Sequence, residues 1–271
     1  MKIYISSDQE GVSGIATRSQ DGVDQAENKR LQTEEIVACC EAILEFDKDA
    51  EIVVNDSHGK GLNLDFESLP ERVELIRQSP EILDQMYGID DSYDGFMFFA
   101  HAMRGTLGAL LSHVWEVQDL MVNGKRLGEA GIASYIASYY GVPFIFASGD
   151  DFYMEEVKEL SPTTETAVVK YGMGRYVARN LHPKRARRII SEGTKRALKR
   201  LKAGEIVPVV LPEPPVRLEM RFGDTGAADA ACMMPGVDRL DGRTTLYVSD
   251  SVRDVYKAFY AQTRLQRTRL L

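Results

Sequence analysis

The residues best suited to chemistry in this chain of 271 are few: it has four histidines, His58, His101, His113 and His182. Asp8 and Glu10 lie two apart in Ser-Ser-Asp-Gln-Glu-Gly, residues 6–11. On an extended chain that spacing points both carboxylates to the same side, where they could face one cation, and Gly11 permits a sharp exit. His58 follows Asp56-Ser57, and His101 follows the apolar run Phe96 to Ala100. Glu129 stands in Gly-Glu-Ala-Gly, residues 128–131, where small neighbours allow close approach. Taken singly, each has an ordinary explanation: a solvated loop for Asp8 and Glu10, a strand-end cap for His58, a core position for His101, and a first-turn glutamate favoured by the helix dipole for Glu129. Together, two imidazoles and three carboxylates suit zinc, and less specifically manganese or iron. Five such ligands exceed what one tetrahedral zinc with an open position needs and approach what two zinc ions sharing a carboxylate would use. A two-metal hydrolase is therefore plausible. His113, twelve residues beyond His101, could be a further ligand, a general acid or base, or a surface loop residue. His182 precedes Pro183 at a helix start and is assigned a structural role.

These side chains need elements that bring them together. Ile3 to Ser7, Glu51 to Asn55, Phe96 to Ala100 and Phe144 to Ser148 are short apolar runs without polar alternation, as expected for strands covered on both faces. A helix is predicted from about Asp24 to Asp47, with Ile36, Val37, Cys40, Ile43 and Leu44 on one face. Asn123-Gly124 between apolar flanks signals a hairpin, and a second helix runs from about Glu129 to Tyr140, closed by Gly141. Strands alternating with helices predict an α/β fold with a mostly parallel sheet and flanking helices. In such a sheet the C-terminal strand ends share one edge, where open α/β folds bind ligands. The four strands run into Asp8 and Glu10, His58, His101, and Asp150-Asp151 respectively. The polar stretch around residues 159–166 suggests a domain boundary. Residues 1–160 would form the metal-binding catalytic domain. Residues 161–271 would form a smaller α+β domain that contributes to oligomer contacts, with strands at Ala167 to Tyr171, Val216 to Phe222 and Thr244 to Val248, a long helix after Pro183 and a terminal helix from about Val252.

Composition narrows the partners. With 44% hydrophobic and 27% charged residues the chain is an ordinary soluble globular one. Its net charge of −8 argues against a role built on neutralising phosphates. The basic stretch Lys184 to Lys202 holds nine Lys or Arg against one Glu. Ala186, Ile189, Ile190, Ala197, Leu198 and Leu201 mark a buried face there, so the charges read as the solvated side of an amphipathic helix or an intersubunit contact, not as a nucleic-acid site. No Walker-type loop, dinucleotide fingerprint or Gly-x-Ser-x-Gly elbow occurs. Three cysteines, Cys39, Cys40 and Cys232, provide no disulfide framework. The first apolar stretch is too short for a signal peptide and no run approaches a membrane span, so a cytoplasmic protein without membrane contact is expected.

Several segments occur in one order: Ser-Ser-Asp-Gln-Glu-Gly at 6–11, Val-Asn-Asp-Ser-His-Gly-Lys at 54–60, Ala-His-Ala around His101, Leu-Ser-His at 111–113, and Val-Asn-Gly-Lys-Arg-Leu-Gly-Glu-Ala-Gly at 122–131. In this the chain resembles the D-aminopeptidase DppA family, dinuclear zinc peptidases associated with dipeptide-transport operons. The similarity extends over nearly the whole chain, including Ala-Ser-Gly-Asp-Asp at 147–151 and Met-Pro-Gly at 234–236. It implies two zinc ions per subunit held by Asp8, Glu10, His58, His101 and Glu129, with Asp8 as bridge and His113 as catalytic histidine. It also implies a two-domain subunit in a ring-like homodecamer whose active sites face an internal chamber. The stretch from His101 to His113 is one residue longer than the family pattern, and the loop from Ile15 to Val23 departs from it, so substrate choice could differ. The expected function is a zinc-dependent aminopeptidase removing N-terminal residues from short peptides, D-residues among them, with Asp150 or Asp151 a candidate for binding the free amine. A metal-dependent hydrolase of another amide or ester, and a non-catalytic metal-dependent peptide-binding oligomer, are the alternatives.

Overall fold

In the computed structural model, which describes residues 1–17, 23–77 and 84–268, the described residues form twelve strands and six α-helices. In order they are β1 (Lys2–Ser7), α1 (Val23–Phe46), β2 (Glu51–Asp56), β3 (Val73–Ile76), β4 (Gly95–Phe99), β5 (Asp119–Val122), β6 (Lys125–Arg126), α2 (Glu129–Tyr139), β7 (Phe144–Asp150) and α3 (Asp151–Leu160). Then follow β8 (Glu165–Gly174), β9 (Val177–Asn180), α4 (Pro183–Lys202), β10 (Val216–Arg221), α5 (Thr225–Ala231), β11 (Val237–Arg239), β12 (Thr244–Ser249) and α6 (Val252–Leu265). The divergent loop between Ile15 and Val23 lies largely outside the described residues.

The larger sheet has the order β3-β2-β1-β4-β7-β8-β9 and is parallel except for β9. Its central strands are buried along almost their whole length because both faces are covered, with polar residues gathered at the C-terminal ends of β1, β2 and β7. Ile3 and Ile5 pack on one face with Ile36, Cys40 and Ile43 of α1 and Ile190 of α4. Tyr4, Phe96, Phe98 and Phe144 belong to the opposite core, shared with α2, α6 and the second sheet. Register then positions the site. Ser7 lies opposite Asp56 on one neighbour and Phe99 on the other, so β1, β2 and β4 end level and release Asp8, Ser57-His58 and Ala100-His101 side by side.

The second sheet is antiparallel, in the order β11-β12-β10-β5-β6. Asn123 and Gly124, with φ of 47° and 76°, make the expected tight hairpin between β5 and β6. The sheets do not divide near residue 160: β5 pairs with β10, while β8 and β9 extend the larger sheet. The polar stretch there is a tight helix-to-strand turn. Ser161 N–H donates to the Val157 carbonyl at 2.7 Å, and the Thr164 hydroxyl donates to the Phe144 carbonyl at 2.6 Å.

His182 caps α4, its Nδ1 accepting from Lys184 N–H at 3.3 Å, with Pro183 in the first turn. The basic face of α4 is matched by acid on its neighbours: Arg187 pairs with Glu34 and Lys195 with Glu45 on α1, and Arg200 with Glu165 at 2.8 Å. No helix among the described residues is long and apolar enough to cross a membrane.

Candidate metal centre

Asp8 follows β1 directly, and its N–H donates to the Phe99 carbonyl at 2.8 Å, tying the first ligand-bearing turn to the end of β4. Residues 9–11 then form a single 3-10 turn that brings Glu10 round beside Asp8. Gly11 is required here for close approach: a Cβ on it would sit 2.5 Å from the Ala100 backbone nitrogen. The expected role in a sharp exit is thus replaced by a packing one.

His58, His101, His113 and Glu129 converge on the same point, and all six side chains are buried. Two groups of three donors result, Asp8, Glu10 and His58 on one side and His101, His113 and Glu129 on the other, with the donor atoms of each within 4.8 Å of one another. Asp8 joins them. Its Oδ1 lies 2.9 Å from His58 Nδ1, and its Oδ2 lies 3.5 Å from His101 Nε2. Glu10 Oε2 is 2.6 Å from His58 Nδ1, and Glu129 Oε2 is 3.6 Å from His101 Nε2.

The imidazoles are oriented from behind. His101 Nδ1–H donates to the Ala102 carbonyl at 2.9 Å and His113 Nδ1–H to the Leu111 carbonyl at 2.6 Å, which turns both Nε2 atoms toward the carboxylates. The two rings stack with centroids 4.0 Å apart and planes 9° from parallel. Two backbone kinks, Leu111 and Trp115 with φ of 50° and 42°, shape the loop that presents His113. Trp115 N–H donates to Glu129 Oε1 at 2.8 Å, and Gln85 Nε2–H donates to Glu129 Oε2.

The electrostatics favour a cation. Burial opposes charge on Asp8, His58, His101 and Glu129, yet the carboxylates raise His58 and His101 well above the usual imidazole range, through Glu10 and Asp8 for the first and Glu129 and Asp8 for the second. In return, and against the same burial, His101 and His58 hold Asp8 well below the ordinary carboxylate value, and His101 draws Glu129 down to about 2. Three buried carboxylates thus demand positive charge, and His101 Nε2 is buried with no hydrogen-bond partner. These mixed N/O donors fit zinc, with Asp8 able to serve both groups.

Comparison with known proteins agrees with this chemistry. Residues 1–261 match the family model described as D-aminopeptidase. The chain belongs to that family. It is 33% identical over 270 residues to a D-aminopeptidase of Bacillus subtilis (strain 168), an alignment covering 98% of this chain and 97% of that one. It also superimposes with a TM-score of 0.92, at 30% identity over 99% of this chain and 98% of the other, on the structure described as Zn-dependent D-aminopeptidase DppA from Bacillus subtilis, a self-compartmentalizing protease. Like other members of the family the chain is a peptidase, and so a hydrolase.

All six site residues singled out in the sequence converge, whereas Asp150 and Asp151 do other work. Asp150 caps α3 through Tyr153 N–H at 2.7 Å and holds Leu110 N–H at 2.9 Å, and Asp151 accepts from Gly172 N–H at 2.8 Å. A strand-end carboxylate that opens a helix is consumed as its cap. Sequence reasoning missed Gln85, Trp115 and Lys170 as supports, since their roles depend on long-range contacts that no local spacing encodes.

Proposed function

We propose that this protein is a zinc-dependent aminopeptidase that releases N-terminal residues, D-residues among them, from short peptides at a centre of two zinc ions per subunit. The observation that carries the reading is Asp8, one carboxylate whose two oxygens face separate donor groups, one containing His58 and the other His101. Asp8 would bridge, with Glu10 and His58 completing one zinc site and His101 and Glu129 the other. Zinc in such a centre supplies Lewis acidity, polarising a carbonyl and making water acidic enough to ionise near neutral pH.

The remaining chemistry falls to the chain. His113 Nε2, in the second group, lies 4.0 Å from Glu10 Oε1 of the first and 3.8 Å from Glu129 Oε1 of its own, so it can take a proton from the attacking water and return it to the leaving amine. The Leu111 carbonyl fixes its Nδ1–H tautomer and leaves Nε2 for that exchange. Burial of the donors excludes bulk water and strengthens each of these interactions.

The solved relative's description as self-compartmentalizing supports an oligomer with enclosed active sites for this chain, and the homodecamer is what the family resemblance implies for its size. Free cysteines, two of them adjacent and buried, agree with a cytoplasmic setting.

The test is to strip the protein with chelator, restore zinc, and assay dipeptides and tripeptides with L or D residues at the amino end. Recovery of cleavage with two zinc ions per subunit supports the proposal. Bound zinc with no turnover of any aminoacyl peptide would overturn it, and hydrolysis of only non-peptide amides or esters would assign the centre to another substrate class.

A further inference from the structure

The cleft above the metal donors has a second wall, supplied by the end of α6. Asp8, His58, His113 and Glu129 line it together with Glu116, Arg264 and Arg267. This placement is anchored from within. Trp115, on the loop that carries His113, packs edge-on against Phe259 at 4.9 Å and Tyr260 at 5.0 Å between ring centroids. Arg264 follows Tyr260 by four residues and therefore shares its helix face, so the contact that seats α6 also directs Arg264 toward the cleft. Arg267 lies in the short 3-10 turn after α6, its Nη2 3.2 Å from Glu116 Oε1 at the rim.

Two guanidiniums beside a cation site do nothing to help metal enter; they suit an anion, which would share Arg267 with Glu116 or displace it. Resting on the aminopeptidase reading above, we infer that Arg264 and Arg267 bind the C-terminal carboxylate of the substrate and so restrict the enzyme to very short peptides. A peptide with its scissile carbonyl at the donors extends only ~3.3–3.6 Å per further residue, so the carboxylate of a dipeptide stays within about one residue's length of the donors that share the cleft with the arginines. Guanidinium is the side chain suited to it, since its planar fork pairs with a carboxylate through two parallel hydrogen bonds. A longer chain would carry its carboxylate past the arginines and leave them facing neutral backbone.

The experiment compares dialanine, in its D and L forms, as free acid and as C-terminal amide, with the zinc-loaded full-length protein. The wild type should favour the acid over the amide in kcat/KM by on the order of tenfold or more. The paired change Arg264→Ala with Arg267→Ala should bring that ratio close to one, mainly through KM, and Arg267→Lys should restore part of it. The ratio is internal to each variant, so a merely structural loss lowers both substrates together and leaves it unchanged, which would overturn the inference. Equal cleavage of acid and amide by the wild type would also overturn it while leaving the aminopeptidase reading intact. Cleavage of neither dialanine substrate, with zinc bound and other aminoacyl peptides still turned over, would overturn the inference alone.

Discussion

Lys170 donates from a fully buried ammonium on β8 to the backbone carbonyl of Glu10 at 2.6 Å. The same Nζ reaches the carbonyls of Val12 at 2.8 Å and Ile15 at 3.0 Å, so one side chain holds the whole turn that carries Asp8 and Glu10. Lys170→Met would leave three carbonyls without their donor and should cost roughly 3–5 kcal/mol, as removal of one partner from a buried charged network does. Zinc affinity should fall with it. Urea unfolding and a chelator competition titration check both, and a variant with wild-type values in each would refute the role.

Glu35 of α1 supports the same turn, accepting from Ser13 N–H at 3.0 Å. Burial pushes its carboxyl up to about 8, against the pull of Lys170 and Arg187. Between an unfolded value near 4.5 and about 8, the folded protein keeps a proton that the unfolded chain releases, so this contribution to stability is lost as pH rises. Lys170, lowered by burial to about 8 from 10.5, acts in the opposite sense above that range. Glu35→Gln removes the acid-side slope and should narrow the loss of stability between about pH 5 and about pH 8 by on the order of 3 kcal/mol. Denaturant midpoints at the two pH values, compared between wild type and variant, measure it.

Gln85 orients Glu129 through its side-chain amide. Partners of this kind fix the direction of a metal-binding carboxylate and typically set metal affinity by a factor of about 10–100. Gln85→Ala should therefore weaken zinc binding by that factor while the fold, followed by circular dichroism, remains. Unchanged zinc affinity would show that Trp115 N–H, 2.8 Å from Glu129 Oε1, holds the carboxylate alone.

Much of the site was legible because the chemistry sits at strand ends. Short apolar runs identified β1, β2, β4 and β7, and a parallel sheet puts their C-terminal ends together whatever the connections do. The supports were not legible. Lys170 lies 160 residues from Glu10 and looks like any strand lysine until its burial is seen. Likewise β9 is a mostly exposed edge with little apolar signal, and β3 is only four residues long with one buried position. Asp150 misled for a physical reason: a carboxylate between strand and helix is equally suited to a ligand and to an N-cap, and local sequence does not distinguish them. Gly11 shows the same limit, since its need arises from the backbone of Ala100 on another strand.

His113 decides how the centre divides its labour. Its distances to the carboxylates, 4.0 Å and 3.8 Å, exceed those of His101, 3.5 Å and 3.6 Å, and its partners are Glu10 from one donor group and Glu129 from the other. His101 likewise faces one carboxylate from each group, Asp8 and Glu129, so it is the longer distances of His113 that favour proton transfer over ligation. His113→Ala should then keep two zinc ions per subunit and lose about 10²–10⁴-fold in kcat, the usual worth of a positioned general acid or base. The acid limb or base limb of the pH profile attributable to this histidine should disappear from the residual rate. Metal analysis of the purified variant is the decisive measurement: retention of both ions with the rate lost assigns proton transfer to His113, whereas loss of one ion makes it a ligand beside His101 and Glu129.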